Sequence, residues 1–254
     1  QGLAVAAQTQ NHALLYDAGP DYNGDADSGN RILVPALRGL GIAQLDGLIL
    51  SHDDIDHTGG AQSVLQAIPT AWISSSLSPE HEILQMRQDT HRCVAGQTWN
   101  WDGVYFEMLH PTAESYARAD IRDNERGCVL RISTGQHSVL LASDIEQGTE
   151  QDLLREHADK LPAALLVVPH HGSKTSSTDE FVAAVQPGYA VFTVGYRNRF
   201  HHPHPDVWER YRAAGITLLR SDTDGALVLD MNDTEFSIEA YRKTHARYWQ
   251  HHIN

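Results

Sequence analysis

Residues 48–60 constrain the fold of this chain more than any other stretch. They begin as an apolar run that is typical of a buried strand, and they end on two glycines before a helical pattern. Between these lie four side chains that can bind a metal, two imidazoles and two carboxylates: His52, Asp54, Asp56 and His57. Divalent metals accept both donor types, and a rigid strand end lets several side chains converge. The stretch therefore predicts a metal site at a strand end, with room for a second ion where the backbone turns.

A solvated loop with helix caps is the alternative interpretation of the same residues. Asp56 or Thr58 could cap the helix that starts near Gly60. A cap accounts for one polar side chain, whereas four possible ligands at this spacing favour metal binding.

Length and charge limit the class of protein. The 254 residues fit one large domain or two small ones. The net charge of −14 argues against a basic, duplex-coating surface but leaves a nucleic-acid substrate open, since two divalent ions would add positive charge at the phosphate. Cys93 and Cys128 are predicted to be small buried hydrophobes, and a disulfide in an oxidising compartment stays open. The interrupted first strand favours a piece of a longer protein.

The order of predicted elements indicates the fold class. Strands and two helices, at 32–40 and 60–67, are predicted in the first part of the chain, and residues 98–143 are rich in strands. From residue 144 strands and helices alternate, with helices at 149–156, 178–185 and 206–213. Residues 79–88 have helical composition, and strands at 226–230 and 235–239 finish the predicted core. Apolar strands with helices between them must be covered on both faces, so we expect a layered α/β fold with two mixed sheets and ligand loops at one common edge.

Three further stretches place reactive side chains at strand ends. Asp144 follows one apolar strand, and a helix cap would look similar. The pair His170-His171 follows another, where Gly172 frees the backbone and residues 173–175 offer donors to an anion. Residues 196–205 form a histidine-rich loop that ends at a helix N-terminus, which suits phosphate, although a solvated loop is the alternative.

Taken together, residues 51–60, 143–144, 169–173 and 198–204 resemble the metallo-β-lactamase superfamily. They resemble in particular the soluble domain of ComEC-type DNA-uptake proteins, and the match extends to about Asp230. The resemblance implies an αββα sandwich of two mixed sheets flanked by helices over residues 1–240, followed by a tail at 241–254. It also implies a binuclear metal site at the edge between the sheets.

The resemblance assigns roles to residues of this sequence. It implies that His52 and Asp54 hold one ion, that Asp56 and His57 hold the other, and that Asp144 bridges them. A histidine of the 170/171 pair completes the second ion; we favour His171, with His170 beside the phosphate. Asp17 would orient the ligand loop.

Two departures from the superfamily pattern bear on the metal. Asp54 stands where the commoner loop has histidine, and Asn124 lies near the position of the usual third histidine before Cys128. The first site is therefore short of nitrogen donors. Oxygen-rich ligation favours harder ions, so we expect two divalent ions, with Mn²⁺ a rival to Zn²⁺.

The resemblance implies hydrolysis of a phosphodiester by a metal-dependent nuclease that degrades one DNA strand during uptake. Asp56, His170 and His204 are the candidate catalytic residues, and the candidates for binding substrate are Ser173, Lys174, Asn198 and His202. The implied partners are single-stranded or linear DNA and a membrane channel domain of the same parent protein, on the extracytoplasmic side of an inner membrane. We expect the isolated domain to be monomeric.

Two other functions are consistent with the same sequence. One is a hydrolase of small phosphoesters or lactones on this fold, which would favour a closed pocket. The other is a DNA-binding module without catalysis, made credible by the depleted first metal site.

Overall fold

A computed structural model of the chain describes residues 1–23, 25–118 and 121–246. The first part of the chain contains β1 (Val5–Gln8), β2 (Ala13–Tyr16), β3 (Asp21–Asn23), β4 (Ala26–Asp27), a π-helical turn (Gly29–Leu33), α1 (Val34–Gly39), β5 (Leu45–Leu50), α2 (Ile55–Thr58), α3 (Ala61–Ala67), β6 (Thr70–Ser75) and β7 (Thr90–Arg92). Short 3₁₀ turns lie at Leu84–Met86, Glu114–Ala117, Asp123–Arg126, Ala158–Lys160 and Pro169–Gly172.

The second part of the chain alternates strands and helices. It contains β8 (Thr98–Trp101), β9 (Val104–His110), β10 (Val129–Thr134), β11 (His137–Leu141), α4 (Gln147–Glu156), β12 (Leu165–Val167), α5 (Asp179–Val185), β13 (Tyr189–Phe192), α6 (Pro205–Ala213), β14 (Thr217–Arg220), α7 (Ser221–Asp224), β15 (Leu227–Met231), β16 (Phe236–Ala240) and α8 (Tyr241–Thr244).

Two mixed sheets form the centre of the fold, as the sequence predicts. The first has the order β1-β2-β5-β6-β7 and is parallel except for the β1–β2 pair. The second has the order β14-β13-β12-β11-β10-β9-β8; it is parallel from β11 to β14 and antiparallel from β8 to β11.

Three apolar layers hold the sheets and helices together. One layer packs α1 and α3 on the first sheet, another packs α4, α5 and α6 on the second sheet, and the third lies between the sheets. Along β5, Leu48 and Leu50 face the helices whereas Ile49 faces the other sheet. Burial of both faces explains the continuous apolar run of this strand. The result is the αββα sandwich that the sequence resemblance implies.

The carboxyl ends of the parallel strands meet at one edge of the sandwich. The backbone N–H of Cys128 donates to Ser51 O at 3.0 Å, and the Tyr16 hydroxyl donates to Cys128 O at 2.5 Å. Cys93 and Cys128 are buried, as predicted, and they form the disulfide that their spacing left open. This edge is therefore tied across both sheets by hydrogen bonds and a covalent link.

The prediction of a helix at residues 79–88 is wrong. Only the single 3₁₀ turn Leu84–Met86 forms there. The Arg87 guanidinium donates to Leu65 O and Thr70 O, the carbonyls of α3 and β6, and Arg87 itself is extended. The extended backbone at Arg87 ends the turn, and its side chain bonds carbonyls that lie elsewhere in the fold.

The last two strands in the described part of the chain, β15 and β16, do not join either of the two large sheets. β15 and β16 pair with each other as a separate antiparallel hairpin rather than extending a large sheet. α8 follows directly, and residues 247–254 of the predicted tail lie outside the described residues. No helix in the described parts of the chain has the length and apolar character needed to cross a membrane.

Candidate metal centre

Asp17, directly after β2, organises the loop that follows β5. Its buried carboxylate accepts hydrogen bonds from the Ser51 backbone N–H at 2.7 Å and from the Ser51 hydroxyl at 2.8 Å. It also lies 2.7 Å from His57 Nδ1. A carboxylate on one imidazole nitrogen fixes the ring and leaves the other nitrogen free to bind. Asp17 thus lies where an orienting role requires it.

Backbone conformations at this edge are unusual. Asp17, Ser143, His170 and His171 are not glycines, yet their φ angles are 55°, 55°, 48° and 54°. Such left-handed residues are uncommon and concentrate at functional sites, where the surrounding structure holds them in place. Each lies within four residues of the end of β2, β11 or β12, so these strand ends are shaped to direct particular side chains.

The structure brings together most of the predicted ligands. Two groups of donor atoms, each within 4.8 Å of one another, consist of His52, His57 and Asp144 and of Asp56, His57 and His171. His57 Nε2 lies 3.2 Å from Asp144 Oδ1. His171 Nε2 lies 3.2 Å from Asp56 Oδ2 and 3.4 Å from Asp144 Oδ2. The two oxygens of Asp144 therefore face two different histidines.

The donor atoms fit a divalent cation by a direct structural test. The Nε2 atoms of His57 and His171 are buried and make no hydrogen bond, although carboxylate oxygens lie close to both. A buried imidazole nitrogen without a partner is costly. Ligand atoms around a cation point at the cation and not at one another. This arrangement accounts for imidazole nitrogens and carboxylate oxygens that lie close together without forming hydrogen bonds. The residues present thus match the nitrogen and oxygen ligands of zinc or manganese.

The charges at this edge favour a cation. Burial opposes the charge of Asp56, but the imidazole of His171 in close contact with it and the positive charges of His57 and His171 outweigh the effect of burial and lower the pKa of Asp56 to about 2. Burial likewise opposes the charge of Asp144, and His171 and His57 hold its pKa well below the usual value. Both carboxylates are therefore ionised at neutral pH, the form that binds metals.

Asp54 lies at the rim of the cluster. Its Oδ2 is 3.3 Å from His52 Nε2, and about half of its side chain (48%) is exposed. The hydrogen bond from His52 lowers the pKa of Asp54. It belongs to neither buried donor group among the described residues, so the first site is more open than the second.

His171 and His170 have different surroundings, which the sequence could not distinguish. His171 Nδ1 lies 2.8 Å from Thr193 Oγ1, and Nε2 belongs to a donor group. His170 Nδ1 lies 3.2 Å from Thr175 Oγ1, while its Nε2 is 3.9 Å from Asp144. Burial lowers the pKa of His170. The structure thus places His171 among the donors and His170 beside them.

Sequence reasoning missed several neighbours of the cluster. Ser143 Oγ lies 3.3 Å from His52 Nδ1, and Thr193 contacts His171 at the end of β13. Glu146 Oε1 accepts from Thr175 Oγ1 at 3.1 Å and lies 3.6 Å from His170 Nδ1. The signal for Thr193 was its place after a strand parallel to β12, since parallel neighbours end at the same edge.

The predicted phosphate-binding residues divide into available and committed side chains. Lys174 is exposed, whereas Ser173 is buried with its hydroxyl 3.1 Å from Thr175 Oγ1. The Asn198 amide donates to His202 O at 2.7 Å, and its oxygen accepts from His202 N at 2.9 Å. Ser173 and Asn198 therefore already have partners within the fold.

His202 lies beside His170, and His204 lies at the start of α6. The His202 ring centroid is 6.0 Å from that of His170, and burial lowers the pKa of His202 to about 4. The His204 backbone N–H donates to Gly172 O at 2.8 Å, and its Nδ1 accepts from Asp206 N at 3.3 Å, which caps α6. His204 Nδ1 also lies 3.6 Å from Asp206 Oδ2.

Comparison with known proteins agrees with this geometry. The model of the metallo-β-lactamase superfamily matches residues 1–90. Competence protein ComA of Neisseria gonorrhoeae is 39% identical over 251 residues, which are 98% of this chain and 34% of that protein. Recombination protein 2 of Haemophilus influenzae is 37% identical over 210 residues, 83% of this chain and 25% of that protein. This chain is a ComEC-type domain of the metallo-β-lactamase superfamily. It spans about a third or less of the length of these relatives.

Solved structures support the metallo-β-lactamase fold. The structure of CmlA from Streptomyces venezuelae, described as a diiron β-hydroxylase, aligns with a TM-score of 0.56 at 15% identity. The alignment covers 86% of this chain and 51% of CmlA. At this identity the likeness concerns the fold alone.

Asp54 and Asn124 are the two residues at which this domain departs from the commoner superfamily pattern. Asn124 lies in the turn Asp123–Arg126, where its carbonyl accepts from Gly127 N at 3.0 Å. Among the described residues, each of the two donor groups contains two imidazoles and one carboxylate, and Asp54 lies outside both groups. The predicted shortage of nitrogen donors at the first site stays a prediction.

Proposed function

We propose that this domain is a metal-dependent phosphodiesterase that degrades one strand of DNA during DNA uptake. The observation that carries the proposal is the convergence of donors from three backbone segments on one edge of the sandwich, with Asp144 directed at two histidines. The competence and recombination names of the relatives supply the biological setting.

The proposed centre holds two divalent ions, Mn²⁺ or Zn²⁺. His52 and Asp54 would hold the first and Asp144 would bridge; the second would be held by Asp56, His57 and His171. When bound, such ions lower the pKa of water and neutralise charge on phosphoryl oxygens. Asp17 would act through His57 by fixing its ring, and Asp56 would also help to orient the attacking water.

Side chains on the other side of the centre would handle the phosphate and the leaving group. His204 is our candidate to donate a proton to the leaving oxygen; it would do so from Nε2 in its cationic form, with Nδ1 facing Asp206 Oδ2 at 3.6 Å, and would become a neutral imidazole. His170, neutral and adjacent to Asp144, would contact the phosphate. Lys174 is exposed and would attract the phosphate, and His202, which lies beside His170, would also contact it. Asn198 and Ser173 would contribute through the shape of their loops, since their polar atoms are already bonded.

We further propose an extracytoplasmic location next to a membrane channel domain of the same parent protein, with the isolated domain monomeric. The Cys93–Cys128 disulfide supports this location, because disulfides persist in oxidising compartments. The substrate in this setting would be single-stranded or linear DNA.

A substrate panel tests the proposed activity. Protein loaded with Mn²⁺ or Zn²⁺ would be given a labelled single-stranded oligonucleotide, linear duplex DNA, bis(p-nitrophenyl) phosphate and an acyl-homoserine lactone. We expect shortening of DNA, abolished by Asp144→Asn and unaffected by Asp152→Asn, an exposed carboxylate of α4. Turnover of the lactone or the small diester without DNA cleavage would favour the small-substrate hydrolase, and binding without any cleavage would favour the binding module.

A further inference from the structure

We infer that residues 196–202, which we term the aromatic–arginine loop, form a platform on which bases of a single DNA strand stack beside the metal centre. This inference rests on the proposed function and names how that site would hold its substrate. It assigns a role to Tyr196, Arg197, Arg199 and Phe200, none of which has a role in the metal centre.

Two large aromatic rings of this loop lie in solvent. Tyr196 is 62% exposed and Phe200 is 53% exposed. The guanidinium of Arg197 lies 5.2 Å from the Tyr196 ring centroid, and that of Arg199 lies 4.8 Å from the Phe200 ring centroid. Alternating aromatic and cationic side chains match the alternating bases and phosphates of a single strand.

The positive charge of this loop is uncompensated in an acidic protein. The chain has 33 acidic and 19 basic residues, with a net charge of −14. Within residues 1–23, 25–118 and 121–246, neither Arg197 nor Arg199 makes an ion pair with a carboxylate. Several other arginines in the described parts of the chain make local ion pairs, such as Arg155 with Asp152 and Arg212 with Glu209. Two unpaired guanidinium groups next to each other are therefore suited to a polyanion.

The loop is held in one conformation rather than left free. The Asn198 side chain bonds the backbone of His202 at both its oxygen and its nitrogen. Asn198 N donates to Gly195 O at 3.2 Å, and Arg197 and His201 adopt left-handed φ angles of 52° and 57°. A loop whose backbone is fixed before binding loses less entropy when a base stacks on its rings.

Ring contacts connect the platform to the metal centre. Phe200 stacks on His202 with centroids 6.0 Å apart and planes 14° apart. His202 in turn meets His170 edge-on at 6.0 Å, and His170 Nε2 lies 3.9 Å from Asp144 Oδ2. A base stacked on Phe200 would thus be connected through His202 to His170, which lies beside Asp144, the candidate bridging carboxylate. Duplex DNA hides its bases within the stack, so only an unpaired strand can use these rings.

Fluorescence anisotropy with a labelled oligothymidylate of twelve nucleotides tests the inference. The double variant Tyr196→Ala/Phe200→Ala should bind at least roughly tenfold more weakly, a typical stacking loss, with or without Mn²⁺. Tyr105→Ala, which removes a 40% exposed ring of β9, should bind like the wild type. An abasic twelve-mer should bind wild type and double variant equally. The double variant Arg197→Ala/Arg199→Ala should show a shallower dependence of affinity on salt.

Two outcomes separate this inference from the proposed function. Equal oligothymidylate affinity of the wild type and the Tyr196→Ala/Phe200→Ala variant would overturn the platform even if the wild type cleaves DNA. If the wild type binds oligothymidylate through its bases and this variant does not, the platform is supported even when no DNA is cleaved. In that case only the proposed nuclease activity would be wrong.

Discussion

Asp17 shows how a single buried carboxylate shapes a metal loop at the scale of one residue. It fixes both Ser51 and His57, so Asp17→Asn should weaken metal affinity by roughly 10- to 100-fold, the usual effect of losing a partner of a ligating histidine. Competition with a fluorescent zinc chelator would measure this. Asp46→Asn is the matched control, because Asp46 makes the same kind of contact with His12 Nδ1, at 3.0 Å, beside the opposite end of β5. Unchanged affinity in Asp17→Asn would contradict the orienting role.

His110 provides a pH dependence away from the metal ligands. It is buried, its Nε2 lies 2.9 Å from Glu125 O, and burial lowers its pKa. The unfolded chain therefore takes up a proton near pH 6.5 while the folded chain does not, so stability is lost as pH falls below that value. We expect the free energy of unfolding, measured in urea and EDTA, to fall more between pH 7.5 and 5.0 in the wild type than in His110→Gln. Parallel losses in the two proteins would show that His110 does not contribute.

Glu150 shows, at the scale of an element, how a buried acid supports the segment after the histidine pair. It is fully buried in α4 and accepts from Ser177 N, Thr178 N and Thr178 Oγ1, where α5 begins. Glu150→Ala would leave buried N–H groups without partners and should lower the free energy of unfolding by about 3 kcal/mol. Urea denaturation measures it. Glu156→Ala, on the exposed end of α4, should change it by no more than about 0.5 kcal/mol. Similar effects of both substitutions would refute the capping role.

The sequence predicted most secondary-structure elements and several candidate ligands, but it did not predict the contacts between distant segments. The alternation of strands and helices and the placement of Asp144 and His171 at strand ends followed from local pattern, because a buried strand shows its apolar run directly. The helix predicted at residues 79–88 is absent, and Arg87 bonds carbonyls distant in sequence, which the local composition does not reveal. The contacts of Thr193 and Glu146 depend on which strands and turns become neighbours. Thr193 can be inferred only once β13 is paired with β12, and the residues around Glu146 do not indicate its contacts.

At the scale of the whole molecule, the Cys93–Cys128 disulfide links the two sheets beside the ligand loop. It closes a segment of 35 residues, and loop-closure entropy gives such a link about 4 kcal/mol. We expect Cys93→Ala/Cys128→Ala to lose about this much free energy of unfolding in urea. Reductant should destabilise the wild type by a similar amount and leave the variant unchanged. An unshifted wild-type midpoint, with both thiols shown to be free, would contradict this contribution.

The whole fold serves to bring strand ends from two sheets to one edge, where His52, Asp56, His57, Asp144 and His171 meet. The most direct test is to titrate metal-stripped protein with Mn²⁺ or Zn²⁺ and to follow cleavage of a labelled single-stranded oligonucleotide against ions bound per chain. If two ions act together at one centre, we expect cleavage to appear only as the second metal ion per chain binds. Cleavage by the stripped protein, or no cleavage with two ions bound, would contradict the central claim.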